Sequence, residues 1–573
     1  MAYLIGIDVG GTNTNGVLLK DNQVLMTVKA PTDHHNLHRG TKEAITELLT
    51  ALPRIGAGEV DLHLSTTLAT NAVVEGKGAP TAVLIIPGPG LRWEELRVPF
   101  KLYPISGYID HRGREVWPLE RTEIHRRLME IKAAGYQALA VVGKFSPRNF
   151  RHELEIESII AKDYPELLPV TLGHRLSGKL NFPRRIVTAA LNASIARIQA
   201  DFVRMVQELK DQYKQLGNIY LLKADGGTLA LQESLNRSIE TILSGPAASL
   251  MGTMALTDQL QNAVALDIGG TTTEISIFSG GEPLAEREGA VIAGFPTLVP
   301  AFFSRSIGLG GDSVVTFDGE QVTIGPQREG PPVALGGPRV TPTDAVIVLG
   351  GAFLGNPDRS FQALQAMGAP VGCTPLALAE KIVHAFAGKA ARVIKEIYTD
   401  LNNRPVYTVS QVLAGVSLKP ERLIGMGGPA AYFIPKIGQR LGLPVQVLPY
   451  HEAANAIGAA ASRPTFALTL RADTALAQMV VPELDHAVTI ERPFSFNLER
   501  AREEAINQVI HYSTQMGACY GPAEIEITEE EVFNMVRGFR TIGKNYALRA
   551  QVKPKTRRIY PEERVKTNHP VAD

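Results

Sequence analysis

Cysteine is nearly absent from this 573-residue chain. Cys373 and Cys519 are far apart and form no C-x-x-C pattern, which excludes a disulfide framework and a thiolate-held metal. Excess charge is also missing. Lysine plus arginine (58) equals aspartate plus glutamate (58), so no global field draws nucleic acid or an acidic membrane. The chain has no apolar run of the roughly 18 residues that a membrane-crossing helix needs. Its start, MAYLIGIDVGG, has neither a basic leader nor a cleavable apolar stretch. These absences predict a soluble, cytoplasmic protein without a nucleic-acid or membrane partner. The length exceeds what one core fills and predicts several domains.

What the chain does have is a motif that occurs twice. IGIDVGGTNTNGVLL (5–19) and ALDIGGTTTEISIF (265–278) align without a gap at an offset of 259 residues. Asp8, Gly10, Gly11, Thr12 and Asn13 meet Asp267, Gly269, Gly270, Thr271 and Thr272. Each copy reads as a strand that ends in a carboxylate, followed by a glycine turn and a returning strand. A turn without Cβ atoms lets phosphate oxygens approach its N–H groups, and the threonine hydroxyl adds a donor. An aspartate beside phosphate calls for a cation between them, and oxygen ligands favour Mg2+. Two copies therefore predict two hairpins facing one nucleotide, with Asp8 and Asp267 organising the metal and the attacking group.

Apolar runs of strand length alternate with helical patterns, which predicts α/β layering. EIHRRLMEIKAAG (123–135) reads as a helix, ALAVVGKF (138–145) as a buried strand, and Ile186 to about Leu216 as a long helix. RLIGMGGPAAYFIPKIGQRLGLPVQVLP (422–449) reads as strand, turn, helix and strand, with Gly427, Gly428 and Pro429 leaving room for a flat ligand. HEAANAIGAAAS (451–462) reads as a close-packing helix of small residues. Beyond RPT the pattern changes.

In this order the elements resemble the actin, Hsp70 and sugar-kinase superfold, a two-lobed, ribonuclease H-like α/β fold. LSTTLATNAVVEGKGAPTAVLI (64–85), DHRGREVWPL (110–119), RHELE (151–155), LSGPAASLMG (243–252), SIGLGGDS (306–313) and TPTDAVIVLG (341–350) are similar to consecutive blocks of the hydantoinase A and 5-oxoprolinase family. The resemblance implies a lobe over 1–185, a second over 186–464 with the adenosine turn, and an appended α+β module over 465–573. It also implies ATP-dependent opening of a cyclic amide, or a related carboxylation, on a small-molecule substrate. A B-type subunit or a homo-oligomer would complete the assembly. Gly310 and Gly311 join the nucleotide set by this resemblance. Thr67 and Asn71, which by residue type suit a helix cap, join the cleft as catalytic candidates. His152, Glu153 and Asp344 are second-tier cleft candidates, and Ser244, Gly245 and Pro246 read as a tight turn or a helix start.

The chain departs from the family pattern on the substrate side. Asn13 and Asn15 stand where the first loop usually carries other residues, and Glu274 replaces an aspartate. Phe303 and Arg305 replace an Asp and a His, Asp312 interrupts a triple glycine, and Gly178-Lys179 replaces Pro-Glu. A small-molecule kinase and an ATPase that activates a partner enzyme are the rival readings. His34, His35 and His38 lack acidic or cysteine ligands at a regular spacing and read as a solvated loop. In the last module, Thr528 and Glu531 form a capping-box pattern that predicts a helix with an apolar face of Val532, Phe533, Val536 and Phe539, docked on the body or on a second subunit. Residues 537–558 carry eight basic residues and no acidic one, which reads as a solvated face or a subunit contact.

Overall fold

The computed structural model describes residues 3–11, 13–31, 37–52, 59–286, 288–403 and 418–559. Thr12, His34 and His35 lie outside the described residues.

The first hairpin, Tyr3–Val9 with Asn13–Lys20, sits in a six-stranded sheet. The strand order is Thr228–Ala230, Leu216–Leu222, Val60–Thr66, Tyr3–Val9, Asn13–Lys20, Gln23–Pro31. The second hairpin, Ala263–Ile268 with Thr273–Ser279, occupies the equivalent place in another sheet, where Arg422–Met426 and Val445–Val447 extend it in parallel. Residues 216–230 fall beyond the boundary drawn at residue 186, yet they complete the first sheet. The long helix Phe182–Gln212 returns the chain to that sheet's far edge, in parallel with Val60–Thr66.

Strand alternation decides where the aspartates point. In Tyr3–Val9, Ile5 and Ile7 pack with Ile45, Leu48 and Phe202 in one core. Leu4 belongs to a different core with Ala456, Ile457 and Ala460, so Asp8 shares the face of Leu4. In Ala263–Ile268, Leu266 and Ile268 pack with Phe433 and Ile437. Ala263 and Ala265 join the same core as Leu4, so Asp267 shares that face.

Between the two sheets lie the helices Ser244–Leu256 and Ala454–Ala461. Their contact is close enough to require glycine. A Cβ on Gly252 would lie 2.1 Å from the Ala454 carbonyl oxygen, one on Gly458 2.1 Å from Ala248 O, and one on Gly6 2.1 Å from Ala456 O. Small residues here hold both sheets against one helix pair.

A four-stranded parallel sheet, in the order Val170–Leu172, Ala138–Gly143, Thr81–Ile86, Lys101–Pro104, is inserted in the first lobe. The C-terminal module is a five-stranded antiparallel sheet covered by the helix Leu498–Gln515. The helix expected from Thr528 is absent: Ile525–Arg537 is a strand paired along its length with Arg540–Val552. Thr528 and Glu531 lie within it, and Gly538 (φ +62°) turns the hairpin. The apolar spacing suited a helix, but the ladder to a partner strand overrode the local preference. The apolar face is not docked on the body either, since Val532, Phe533, Val536 and Phe539 are exposed.

Candidate functional site

Both hairpin turns are closed by the same hydrogen bond. Gly10 N–H donates to Asn13 O at 3.1 Å, and Gly269 N–H donates to Thr272 O at 2.9 Å. The 259-residue repeat is therefore a repeat of geometry. Asp8 ends its strand opposite Asn15 and beside Ser65, and Asp267 ends its strand opposite Glu274 and beside Met426.

The helix pair orders these carboxylates. Ser249 Oγ donates to Asp267 Oδ2 at 2.6 Å from one helix, and Asn455 Nδ2 donates to the same oxygen at 2.8 Å from the other. Burial pushes the Asp8 carboxyl up to about 6. The Asp267 charge adds to the rise, while the Ser65 and Asn455 side chains oppose it. Asn455 thus lies against both aspartates. Asp8 Oδ1 is buried without a hydrogen-bond partner among the described residues. Glu274 is likewise raised, first by burial and then by Asp267, with Ser306 and Ser304 opposing.

Three glycine segments converge on Asp267. Gly311 N–H donates to Gly269 O at 2.9 Å and Asp312 N–H to Gly270 O at 2.7 Å, so the 310–312 loop lies along the second turn. A Cβ on Gly310 would meet the Gly270 carbonyl at 2.4 Å, and one on Gly311 would meet Pro429 and Thr343. Gly427 (φ +91°) holds its turn so close that a Cβ would lie 2.2 Å from Ile268 O and 2.9 Å from Asp267 Oδ1. Gly11 and Gly428, by contrast, face open space.

Thr67 Oγ1 donates to Val9 O at 3.2 Å, and Asn71 Nδ2 reaches Thr67 Oγ1 at 3.5 Å. Thr67 precedes the helix Leu68–Val74 without capping it. Its position brings Thr67 and Asn71 to the end of the strand that carries Asp8. Ser244 Oγ donates to Thr66 O at 3.0 Å and ties the start of its helix to the same strand end.

The second-tier candidates make their bonds elsewhere. Asp344 accepts from the Val333, Ala334 and Thr341 N–H groups and from the Thr341 and Ser360 hydroxyls, which makes it an internal brace. Glu153 is fully buried between Gly143 N–H and His174, and His152 Nε2 meets Glu115. The residues missed by sequence reasoning are Ser249 and Asn455. Asn455 carried a signal, being the one amide in the small-residue run ANAIGAAA.

The donor set suits a hard cation. Two carboxylates lie against Asn455, one with an orphaned oxygen, beside the two glycine turns. Carboxylate oxygens are the kind of ligand that Mg2+ takes.

Comparison with known proteins bears on this cleft. The hydantoinase/oxoprolinase N-terminal region model matches residues 4–164, and the hydantoinase/oxoprolinase model matches residues 185–467. Caprolactamase subunit alpha of Pseudomonas jessenii is 25% identical over 78% of this chain and 68% of its own length. Acetophenone carboxylase gamma subunit of Aromatoleum aromaticum is 27% identical over 60% of this chain and 53% of its own. 5-oxoprolinase 1 of Arabidopsis thaliana is 24% identical, but the match spans only 26% of it. Among solved structures, the ATP-dependent caprolactamase from Pseudomonas jessenii superposes with a TM-score of 0.69 at 19% identity, covering 97% of this chain and 88% of that one. A nucleotide-free acetone carboxylase gives 0.64 at 17% identity, covering 96% and 88%. The two-lobed fold is shared with both.

Proposed function

The chain belongs to the hydantoinase/oxoprolinase family, and from that membership and the geometry of the cleft we propose that it uses Mg·ATP to activate the carbonyl of a lactam-like small molecule. The observation that carries this reading is the pair of identically closed hairpin turns whose aspartates lie against one asparagine, Asn455.

An unactivated lactam resists water because its nitrogen leaves poorly. In the proposed reaction the amide oxygen attacks the γ-phosphorus of ATP and ADP departs. Water then adds to the activated carbon, and the ring C–N bond breaks as the nitrogen takes a proton. The acyl phosphate left behind is hydrolysed by a second water to carboxylate and free phosphate. The protein supplies position and charge balance around the moving phosphoryl group.

The Gly10 and Gly269 N–H groups close the two turns, and the N–H groups of Gly11 and Gly270 that follow them receive phosphate oxygens from two sides. The open face at Gly428 receives the nucleoside beside the turn that Gly427 makes possible. Mg2+, held by Asp8 and Asp267 through their carboxylates or bound waters, would neutralise phosphate charge. Asn455 and Ser249 fix the Asp267 carboxylate, and the orphaned oxygen of Asp8 stays available to the cleft. Thr67 and Asn71 line the entry beside Asp8 and orient the substrate carbonyl. Two of the relatives are named as subunits, and a B-type subunit is proposed to complete the later hydrolytic steps.

A panel of lactams and cyclic ureas, incubated with the protein, ATP and Mg2+ with and without a B-type subunit, tests the reading. Free phosphate together with a ring-opened mass is expected. A stable phosphorylated product would make the protein a kinase, and failure to bind nucleotide would remove the proposal altogether.

A further inference from the structure

The C-terminal hairpin carries a surface that the proposed chemistry does not use. Ile525–Arg537 ends its sheet, and no strand among the described residues pairs with its outer edge. Toward the tip, Val532, Phe533, Val536, Phe539 and Ile542 are exposed, from 40% for Val532 to 108% for Phe539. A long apolar edge strand with free N–H and C=O groups is a template for another strand. The sequence of this edge says which strand fits.

We propose that the arm pairs with the same arm of a second copy, the two Ile525–Arg537 strands running antiparallel about a two-fold axis at Asn534. Such an axis, normal to the sheet, must pass through a residue if facing side chains are to share a face. With the axis at Asn534, Val532 meets the second copy's Val536, Phe533 meets its Met535, and Glu531 meets its Arg537. Moving the axis one residue either way sets Val532 against Asn534, or Phe533 against Arg537. Of these three registers only the one centred on Asn534 matches apolar to apolar and acid to base over residues 531–537, where the two strands overlap. Glu531 also lies in the field of Arg148 on its own chain, so the apolar pairs and the backbone ladder carry more of the contact than the ion pair does.

The mass of the full-length protein in solution is the first test, with a dimer expected at micromolar concentration. Val536→Lys, at a site already 61% exposed, is expected to weaken dimerisation at least tenfold without lowering the melting temperature. The second test removes Cys373 and Cys519 by substitution with serine and introduces Asn534→Cys. A short bis-maleimide is expected to link two chains through this residue. Thr528→Cys, whose copies in this register are separated by twelve residues or about 40 Å, is expected not to link. A wild-type protein that is monomeric at tens of micromolar overturns the proposal. So does a dimer that tolerates Val536→Lys and leaves Asn534→Cys unlinked, or an arm that is covered only by a subunit of different sequence.

Discussion

Replacing Asp8 with asparagine separates the protein's binding chemistry from its folding. The Asp8 side chain is 4% exposed, and burial, reinforced by Asp267, raises its pKa from 3.8 to about 6. An acid raised on folding binds more protons in the native than in the unfolded state between those two values, so stability falls as pH rises across that window. A rise of about 2 units corresponds to a loss of about 3 kcal/mol, complete once pH is above the folded value. Asp8→Asn keeps the shape and removes the charge. The nucleotide-free variant is therefore expected to be more stable than the parent by about 3 kcal/mol at pH 8 and nearly equal at pH 4, while its ATP turnover is lost. Urea denaturation of both proteins across that pH range, without nucleotide or Mg2+, measures the difference. Equal stability at pH 8, or a parent protein whose pH dependence survives the substitution, would refute the burial argument. Unchanged turnover would refute the site.

Gly427→Ala forces a Cβ into contact with Ile268 O at a positive φ and should cost about 1–3 kcal/mol in thermal or chemical unfolding. Gly428→Ala, facing open space, should leave stability within about 0.5 kcal/mol of the parent. Gly252→Ala should pry the two central helices apart and weaken nucleotide binding, read by calorimetry, because Ser249 and Asn455 would move with them. At the module's attachment, His174 is buried between Glu153 and Asp485, and these carboxylates outweigh burial and raise its pKa. Arg175 also holds Asp485, and Arg185 lies near Glu153. A raised histidine stabilises fully below its unfolded value of about 6.5 and loses that contribution as pH passes its folded value. Alkaline pH should therefore speed proteolytic release of the C-terminal module, and Asp485→Asn should shift that release to lower pH. A flat pH profile would count against this linkage.

Much of the cleft was legible in the sequence because its signals are local. A glycine pair after an apolar run ending in aspartate specifies a strand and a turn without reference to the rest of the chain. The exact recurrence of that pattern 259 residues later foretold two hairpins with one geometry. The Gly427–Gly428–Pro429 turn, the helix behind it and the small-residue helix at 454–461 were readable for the same reason. Thr67 and Asn71 suited a helix cap by residue type and entered the cleft only through the family resemblance, because the approach of Thr67 to Val9 depends on a parallel strand pairing that no local pattern encodes.

What the sequence determined by itself was thus the repeated glycine turn, the α/β alternation, the scarcity of cysteine and the lack of excess charge or of a long apolar run. Tertiary structure decided what these parts face. Strand parity turned Asp8 and Asp267 toward a common helix pair, and glycines 6, 252 and 458 let that pair approach until Asn455 lay against both. It also committed Glu153 and Asp344 to structural bonds, by surrounding each with donors from the neighbouring turns and helices. At the C-terminus it made a strand of a segment with helical spacing, because a partner strand thirteen residues long offers hydrogen bonds to the backbone groups on its facing edge, whereas an amphipathic helix is stable only when another surface covers its apolar face.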